Sequence, residues 1–340
     1  MSISIQLSKP FFHPGELLQG NVVVSLRQPI QASSNLSLTF KGKERTKFLI
    51  IDDDIQLGYK SRVRTETHIY KKNGKKTLIN LQTIAGTFTG GIAAGEYSFP
   101  FQIALPAELP QNSNITMKGL QDTYKGAIVY KLKAILGHQF CKIFIPIAPH
   151  IIPQPLNDSN EKTFLFGGSG KLKMKTEIPK NVFQPGEMVP IKVSIENESK
   201  KDVDSLKVKL MRTATICSDD QTIEQGPDEV HRMEFEGVPQ KSKAERMLNY
   251  EIPKKTTPST NGKLLKVKYH LDIECDVAMA IDLEVHPVVE IVYQPPCVEH
   301  NISFYEDLPK KWKALFSETK EESFDKVDRM IFGSVSEVLL

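Results

Sequence analysis

Phe12-His13-Pro14-Gly15-Glu16 and Phe183-Gln184-Pro185-Gly186-Glu187 are one five-residue pattern written twice in a chain of 340 residues. Each opens a run of strand character, Gln19 to Leu26 in the first case and Pro190 to Asn197 in the second. In both, Pro presets φ at the second position of a turn, and Gly takes the positive φ that a type II turn needs at the third. A second landmark follows each turn. Leu105-Pro106 and Pro110 precede Ile128-Val129-Tyr130-Lys131-Leu132-Lys133-Ala134, and Ile252-Pro253 and Pro258-Ser259 precede Leu265-Lys266-Val267-Lys268-Tyr269-His270-Leu271. Two landmarks in the same order, twice, predict two copies of one domain. The turns stand 171 residues apart and the tyrosines 139, so the first copy carries 32 extra residues between its landmarks.

The sequence around these landmarks has a period of two. Leu36, Leu38 and Phe40 alternate with Ser37 and Thr39, and from Leu265 onward Val267, Tyr269, Leu271, Ile273, Cys275 and Val277 take every odd position. Alternation of that length is a half-buried antiparallel sheet, with a reversal expected near Ala278-Met279-Ala280. Short strands between frequent turn signals predict an all-β chain of two tandem immunoglobulin-like sandwiches. The expected division is residues 1–165, 166–295 and a tail over 296–340. A breaker-rich linker is expected from Pro153 to Asn160 and on through Gly167 to Gly170. Helical periodicity is confined to the tail, where Phe324, Val327, Ile331, Val335 and Leu339 recur at three- and four-residue steps.

Hydrophobic content of 40% and charged content of 25% are those of a globular protein, and no apolar run reaches the 18 or so residues of a membrane span. Met1 to Leu7 alternates polar and apolar residues, so it reads as a first strand and not as a targeting segment. Cys141, Cys217, Cys275 and Cys297 are scattered, which fits reduced thiols in the cytoplasm better than a disulfide frame or a zinc site. The net charge of +3 is unevenly placed, at +8 over residues 1–165, −2 over 166–295 and −3 over 296–340. Such asymmetry bears on partners and not on fold.

With Gly95-Glu96-Tyr97-Ser98-Phe99-Pro100-Phe101, Leu105-Pro106 through Pro110, and Tyr130-Lys131-Leu132-Lys133-Ala134 added to the paired turns, residues 1–292 resemble the arrestin-domain-containing proteins, or α-arrestins. The resemblance implies the arrestin fold and a non-enzymatic adaptor that binds cytoplasmic tails of membrane proteins and steers their endocytosis, ubiquitination or endosomal sorting. It also implies peripheral recruitment to plasma or endosomal membranes. The Pro-Pro-x-Tyr motif by which that family engages ubiquitin ligases is not matched, since Pro295-Pro296-Cys297-Val298 has Val in place of Tyr. A retromer-type arrestin-fold subunit is the alternative within trafficking, and a ligand-binding or enzymatic sandwich the alternative outside it.

The extra residues of the first copy hold its most basic stretch: Lys41, Lys43, Arg45, Lys47, Lys60, Arg62, Arg64, Lys71, Lys72, Lys75 and Lys76. These are the candidate contacts for an anionic phospholipid surface or a phosphorylated tail, against the bland reading of a solvated, aggregation-resistant edge. Asn73-Gly74 between the lysine pairs reads as a type I′ hairpin apex. Aromatic residues are too few among these cations, with only Phe48, Tyr59 and Tyr70 beside eleven, to make a stacking platform, so nucleic acid is not an expected partner. The acidic tail, with Phe324, Val327, Ile331, Val335 and Leu339 as its apolar stripe, is expected to latch onto the basic body. His270, Asp272, Glu274 and Asp276 share one strand face. Neighbours two apart lie roughly 6.5–7 Å from one another, too splayed for one ion without outside ligands, so a solvated outer face is expected. Gly167 to Leu172 lacks the spacing and the Ser or Thr of a phosphate loop. No catalytic group, cofactor or metal is expected.

Overall fold

The computed structural model describes residues 1–31, 33–58, 62–119, 122–164 and 170–292, with 52–58 and 62–67 described by their backbone alone. It is all-β. The strands are β1 (Ser2–Leu7), β2 (Leu17–Leu26), β3 (Ser34–Gly58), β4 (Arg62–Phe88), β5 (Gly95–Ala104), β6 (Ser113–Lys118), β7 (Thr123–Leu136) and β8 (Gln139–Phe144) in the first half. The second half has β9 (Leu156–Phe164), β10 (Gly170–Ile178), β11 (Val182–Phe183), β12 (Met188–Asn197), β13 (Val203–Cys217) and β14 (Thr222–Val238), then β15 (Ser242–Glu251), β16 (Thr260–Asn261), β17 (Leu265–Asp276), β18 (Leu283–Val285) and β19 (Val288–Ile291).

Four sheets result, and their order repeats. In the first half β5-β2-β1 faces β4-β3-β7-β6, with β8 also on β7; in the second, β15-β12-β10-β9 faces β14-β13-β17, with β16, β18 and β19 on β17 and β11 beyond β19. Alternation drives this, because residues two apart on a strand face the same side and one side must be buried. Leu36, Leu38, Phe40 and Phe48 of β3 have no exposed surface, and Phe40 stacks 6.1 Å from the ring of Tyr130 on β7. Full burial of such side chains contributes about 1.5–3 kcal/mol each.

The repeated turns are type II as expected, with φ of +83° at Gly15 and +86° at Gly186. Glu16 N–H closes the first on His13 O at 3.2 Å, and Glu187 N–H closes the second on Gln184 O at 3.0 Å. The two landmarks of each copy prove to be physically joined. Gly15 N–H donates to Pro106 O and Leu105 N–H to Glu16 O; Gly186 N–H donates to Ile252 O and Ile252 N–H to Glu187 O. The repeat is also longer than five residues. Lys9 and Lys180, three positions before the Phe, lie 5.1 and 5.2 Å from the ring centres of Phe12 and Phe183. Each also pairs with the turn's own glutamate, Glu16 or Glu187. Tyr130 and Tyr269 complete the equivalence, donating their hydroxyls to Pro110 O at 2.7 Å and Thr257 O at 2.8 Å.

Two expectations are corrected. Residues 156–164 are not linker but β9, antiparallel to β10 from Leu156↔Ile178 to Phe164↔Gly170. An edge strand with both faces largely exposed carries polar residues throughout, and so reads as loop. The ladder His270-Asp272-Glu274-Asp276 does share a face of β17, but Asp272 and Glu274 are only 9% and 4% exposed. Flanking strands β13 and β18 cover them. The reversal at Ala278–Ala280 is present, with Met279 at φ +52° and β18 returning antiparallel to β17. Of the 32 extra residues in the first copy, 19 belong to the β3–β4 hairpin, which spans 55 residues against 36 for β13–β14.

Candidate partner-binding surface

β3 carries both features that matter here, on alternate residues. Its even positions continue the apolar phase of Leu36, Leu38 and Phe40, so the odd positions Lys41, Lys43, Arg45 and Lys47 project from the other face of the sheet. Register brings more cations beside them. Lys41, Lys47 and Thr39 lie opposite Lys131, Lys125 and Lys133 of β7, while Arg45 and Leu49 lie opposite Lys75 and Lys71 of β4. Lys118 of β6 and Lys142 of β8 extend the same face. Eleven basic positions thus share one face, and alongside β3 residues 39–51 no Asp or Glu occupies a strand position on it.

The charges feel one another. Burial, then the neighbouring Lys47 and Lys118, hold the Lys125 ammonium below its ordinary value. Lys131 and Lys133 lie over the rings of Phe144 and Phe140 at 4.7 and 4.4 Å. Lys43 and Lys131 are 9% and 3% exposed, whereas Lys71, Lys75 and Lys118 are open to solvent.

The lysine cluster at 71–76 is not a hairpin apex. Asn73 and Gly74 pair with Lys47 and Thr46 in the middle of β4, and the hairpin ladder continues to Gly58↔Arg62. The four lysines therefore split by strand parity. Lys71 and Lys75 share the basic face. Lys72 and Lys76 lie opposite Phe48 and Glu44 on the inner side, where Lys72 Nζ reaches Asp220 of the second sandwich at 2.9 Å. Gly74 is needed for close approach and not for positive φ. A Cβ there would stand 2.4 Å from Thr46 Oγ1 and 2.8 Å from Cys217 O.

That contact belongs to a polar joint between the sandwiches, which the sequence reading did not anticipate. Glu44, fully buried, accepts the backbone N–H of Lys263 at 3.0 Å and those of Leu264 and Leu265 at 2.7 Å each. Thr46 Oγ1 donates to Cys217 O, and Gln111 Nε2 donates to Ser259 O and to Ile291 O. Thr260 Oγ1 returns a bond to Gln111 O at 3.2 Å. Burial and the Glu44 charge together raise the Tyr130 hydroxyl well above its ordinary pKa.

Of the remaining candidates, Arg62 and Arg64 lie in β4 opposite Gly58 and Gln56, and their side chains are outside the described residues, as is Lys60. Phe324, Val327, Ile331, Val335 and Leu339 also lie outside the described residues. Among the described residues Cys141, Cys217 and Cys275 are free thiols, and burial pushes Cys275 up to about 12. Among them, too, no helix is long and apolar enough to cross a membrane.

The repeated sandwich with its turn-to-proline lock has a counterpart among known families. Residues 1–143 match the arrestin (or S-antigen) N-terminal domain, and residues 168–296 match the arrestin C-terminal domain. The chain belongs to the arrestin family. Arrestin domain-containing protein A of Dictyostelium discoideum is 29% identical over 297 residues, covering 83% of this chain and 50% of the relative. Arrestin domain-containing protein C of the same organism is 23% identical over 312 residues, or 87% of this chain and 45% of the relative. A probable HECT-type ubiquitin ligase-interacting protein of Neosartorya fischeri is 27% identical over 142 residues, 42% of this chain and 21% of the relative. This arrestin-family chain spans about half the length of the curated Dictyostelium relatives it matches.

Proposed function

We propose that this arrestin-family protein is an adaptor that binds acidic or phosphorylated cytoplasmic tails of membrane proteins at an anionic membrane surface, and steers their endocytosis, ubiquitination or endosomal sorting. The observation that carries the reading is the face of the β4-β3-β7-β6 sheet, with its cations from Lys41 to Lys142 and, among the described residues, no Asp or Glu at a strand position on it alongside β3 residues 39–51, although Asp122 caps its end on the Ile51 N–H. A face of one sign draws counter-charged partners and raises their encounter rate. The similarity to a protein named for its interaction with HECT-type ubiquitin ligases supports such a ligase as a partner. The acidic tail over 296–340 would compete for the same cations when latched, through Phe324, Val327, Ile331, Val335 and Leu339.

The parity split of the lysine cluster makes the test selective. In vesicle flotation with phosphatidylserine-containing liposomes, Lys71→Glu with Lys75→Glu should weaken binding. At about 1 kcal/mol for each lysine near an anionic leaflet, the pair costs about 2 kcal/mol, a factor of about 30. Lys72→Glu with Lys76→Glu, on the other face, should leave flotation close to wild type. Binding should fall between 0.1 and 0.5 M salt, since the screening length is already about 10 Å at 0.1 M. Equal loss from both pairs, or none from either, would reject the face as the binding surface.

A further inference from the structure

The covered ladder on β17 holds more acid than its bases neutralise. β13 brings Lys207 and Lys209 against it from one side, and β18 brings Glu284 directly opposite Glu274 from the other. Lys207 pairs with Asp276 at 2.6 Å and Glu274 at 3.5 Å, and Lys209 is taken mainly by Glu274. Asp282 accepts the Val277 N–H at 3.0 Å. Asp272 is left short. Lys209 stands 3.5 Å from its Oδ2, while its Oδ1 is closed to solvent and has no hydrogen-bond donor among the described residues.

That oxygen points at a histidine. His286 Nδ1 lies 3.6 Å from Asp272 Oδ1, and His286 Nε2 lies 3.6 Å from Glu284 Oε2. Both distances are too long for hydrogen bonds. The two ring nitrogens cannot hold one ion together, so one of these contacts corresponds to an edge of a tetrahedral coordination shell, where bonds of about 2.0–2.1 Å set ligand atoms about 3.3–3.4 Å apart, and the other carboxylate would have to swing toward the same nitrogen. One ligand atom each from Asp272, Glu284 and His286 fall within 4.8 Å of one another. We propose that Asp272, Glu284 and His286 form a binding site for a divalent transition-metal cation of the zinc class.

The chemistry selects the ion. One imidazole with two carboxylates suits zinc, whereas calcium and magnesium take oxygen ligands throughout. Glu284 of β18 and His286, one residue beyond it, are two apart and so splayed, but Asp272 of β17 supplies the outside ligand that such a pair needs. Asp272 is fixed by burial, while Glu284 and His286 are partly exposed and can close on the ion, leaving a fourth position for water. Burial and the charges of Asp272 and Glu274 hold the Glu284 carboxyl above its ordinary value, a repulsion that a dication would remove. The bound ion would staple the β18 return to β17. Nothing in this depends on the adaptor reading.

The test is isothermal titration of the full chain with zinc chloride alone, under reducing conditions, with magnesium and calcium chloride run in parallel. Zinc should bind at one site that His286→Ala and Asp272→Asn each weaken by about tenfold or more. Asp282→Asn, at the neighbouring acids, should leave that site intact, and magnesium and calcium should not occupy it. His286 is exposed, so its substitution should leave the circular dichroism spectrum unchanged; if it does not, Glu284→Gln is read by the same criterion. Absence of zinc binding, or zinc binding that is the same in wild type and in the variants, overturns the site and leaves a histidine–carboxylate contact only.

Discussion

Replacing Glu44 by Ala should be among the most damaging single changes on β3. The carboxylate is fully buried and answers three backbone N–H groups from residues 263–265 of the second sandwich, at 2.7–3.0 Å. Each buried donor left without a partner costs about 1–3 kcal/mol. Two effects offset part of that sum: water can enter the vacated space, and the desolvation cost of the carboxylate itself disappears. The expected net loss is about 3–5 kcal/mol, a large share of the roughly 5–15 kcal/mol that holds a domain together. Glu44→Gln keeps one acceptor oxygen for Leu264 and Leu265 but turns an NH₂ toward the Lys263 N–H. It should lose about 1–3 kcal/mol. Urea unfolding followed by far-UV circular dichroism reads both values, and limited proteolysis between residues 145 and 155 reports whether the joint has opened. The order wild type, Gln, Ala should hold in both assays. An Ala variant within about 0.5 kcal/mol of wild type, the range of ordinary surface substitutions, would refute the claim that this carboxylate holds the sandwiches together.

Gly74→Ala should cost about 1–3 kcal/mol by overpacking, since its Cβ would meet Thr46 Oγ1 and Cys217 O; thermal unfolding by scanning fluorimetry measures it. Gly15→Ala and Gly186→Ala should each cost about 1–2 kcal/mol, because both residues hold φ above +80°. Near-equal losses in the two variants would show that the repeated turns are energetically as well as geometrically equivalent. For Glu16, burial pushes the carboxyl up, but the His13 N–H and the Lys9 ammonium outweigh it and the folded pKa lies below the ordinary 4.5. Its stabilisation is therefore present above pH 4.5 and lost as pH falls through the folded value. Glu16→Gln should be less stable than wild type at pH 7, with the gap closing on acidification.

Features that depend on a few neighbouring residues were legible in the sequence. The Pro-Gly turns, the strand phase of β3 and β17, the reversal at Met279 and the double sandwich all follow from local rules of φ and alternation. Asn73-Gly74 reads as a hairpin apex because the dipeptide signature is local, while the reason for that glycine is a carbonyl at Cys217, 143 residues away. The β17 ladder reads as solvated in the sequence because its cover comes from β13 and β18, whose register no short pattern specifies. Glu44 left a usable signal. An acid in phase with Leu36, Leu38, Phe40 and Phe48 falls on the apolar face, and a buried acid needs donors. What the sequence could not disclose is that those donors are main-chain groups of Lys263, Leu264 and Leu265, whose side chains bear no relation to the contact.

The arrangement along β3 has a consequence for how this chain can tolerate change. Residues 41 to 47 serve two clients at once, odd positions facing the cationic surface and even positions facing the core and the joint. The strand is read, in effect, in a two-letter frame. A one-residue insertion or deletion upstream of Lys41 would shift that frame, turning Glu44 outward and driving a lysine or Arg45 toward the N–H groups of residues 263–265. Both functions would fail in a single step, although every residue type survived. A two-residue insertion would keep the frame and leave the lysines facing outward, but it would put Gly42 in the place of Glu44 and take the acceptor from the N–H groups of residues 263–265, so it should spare the cationic face and still break the joint.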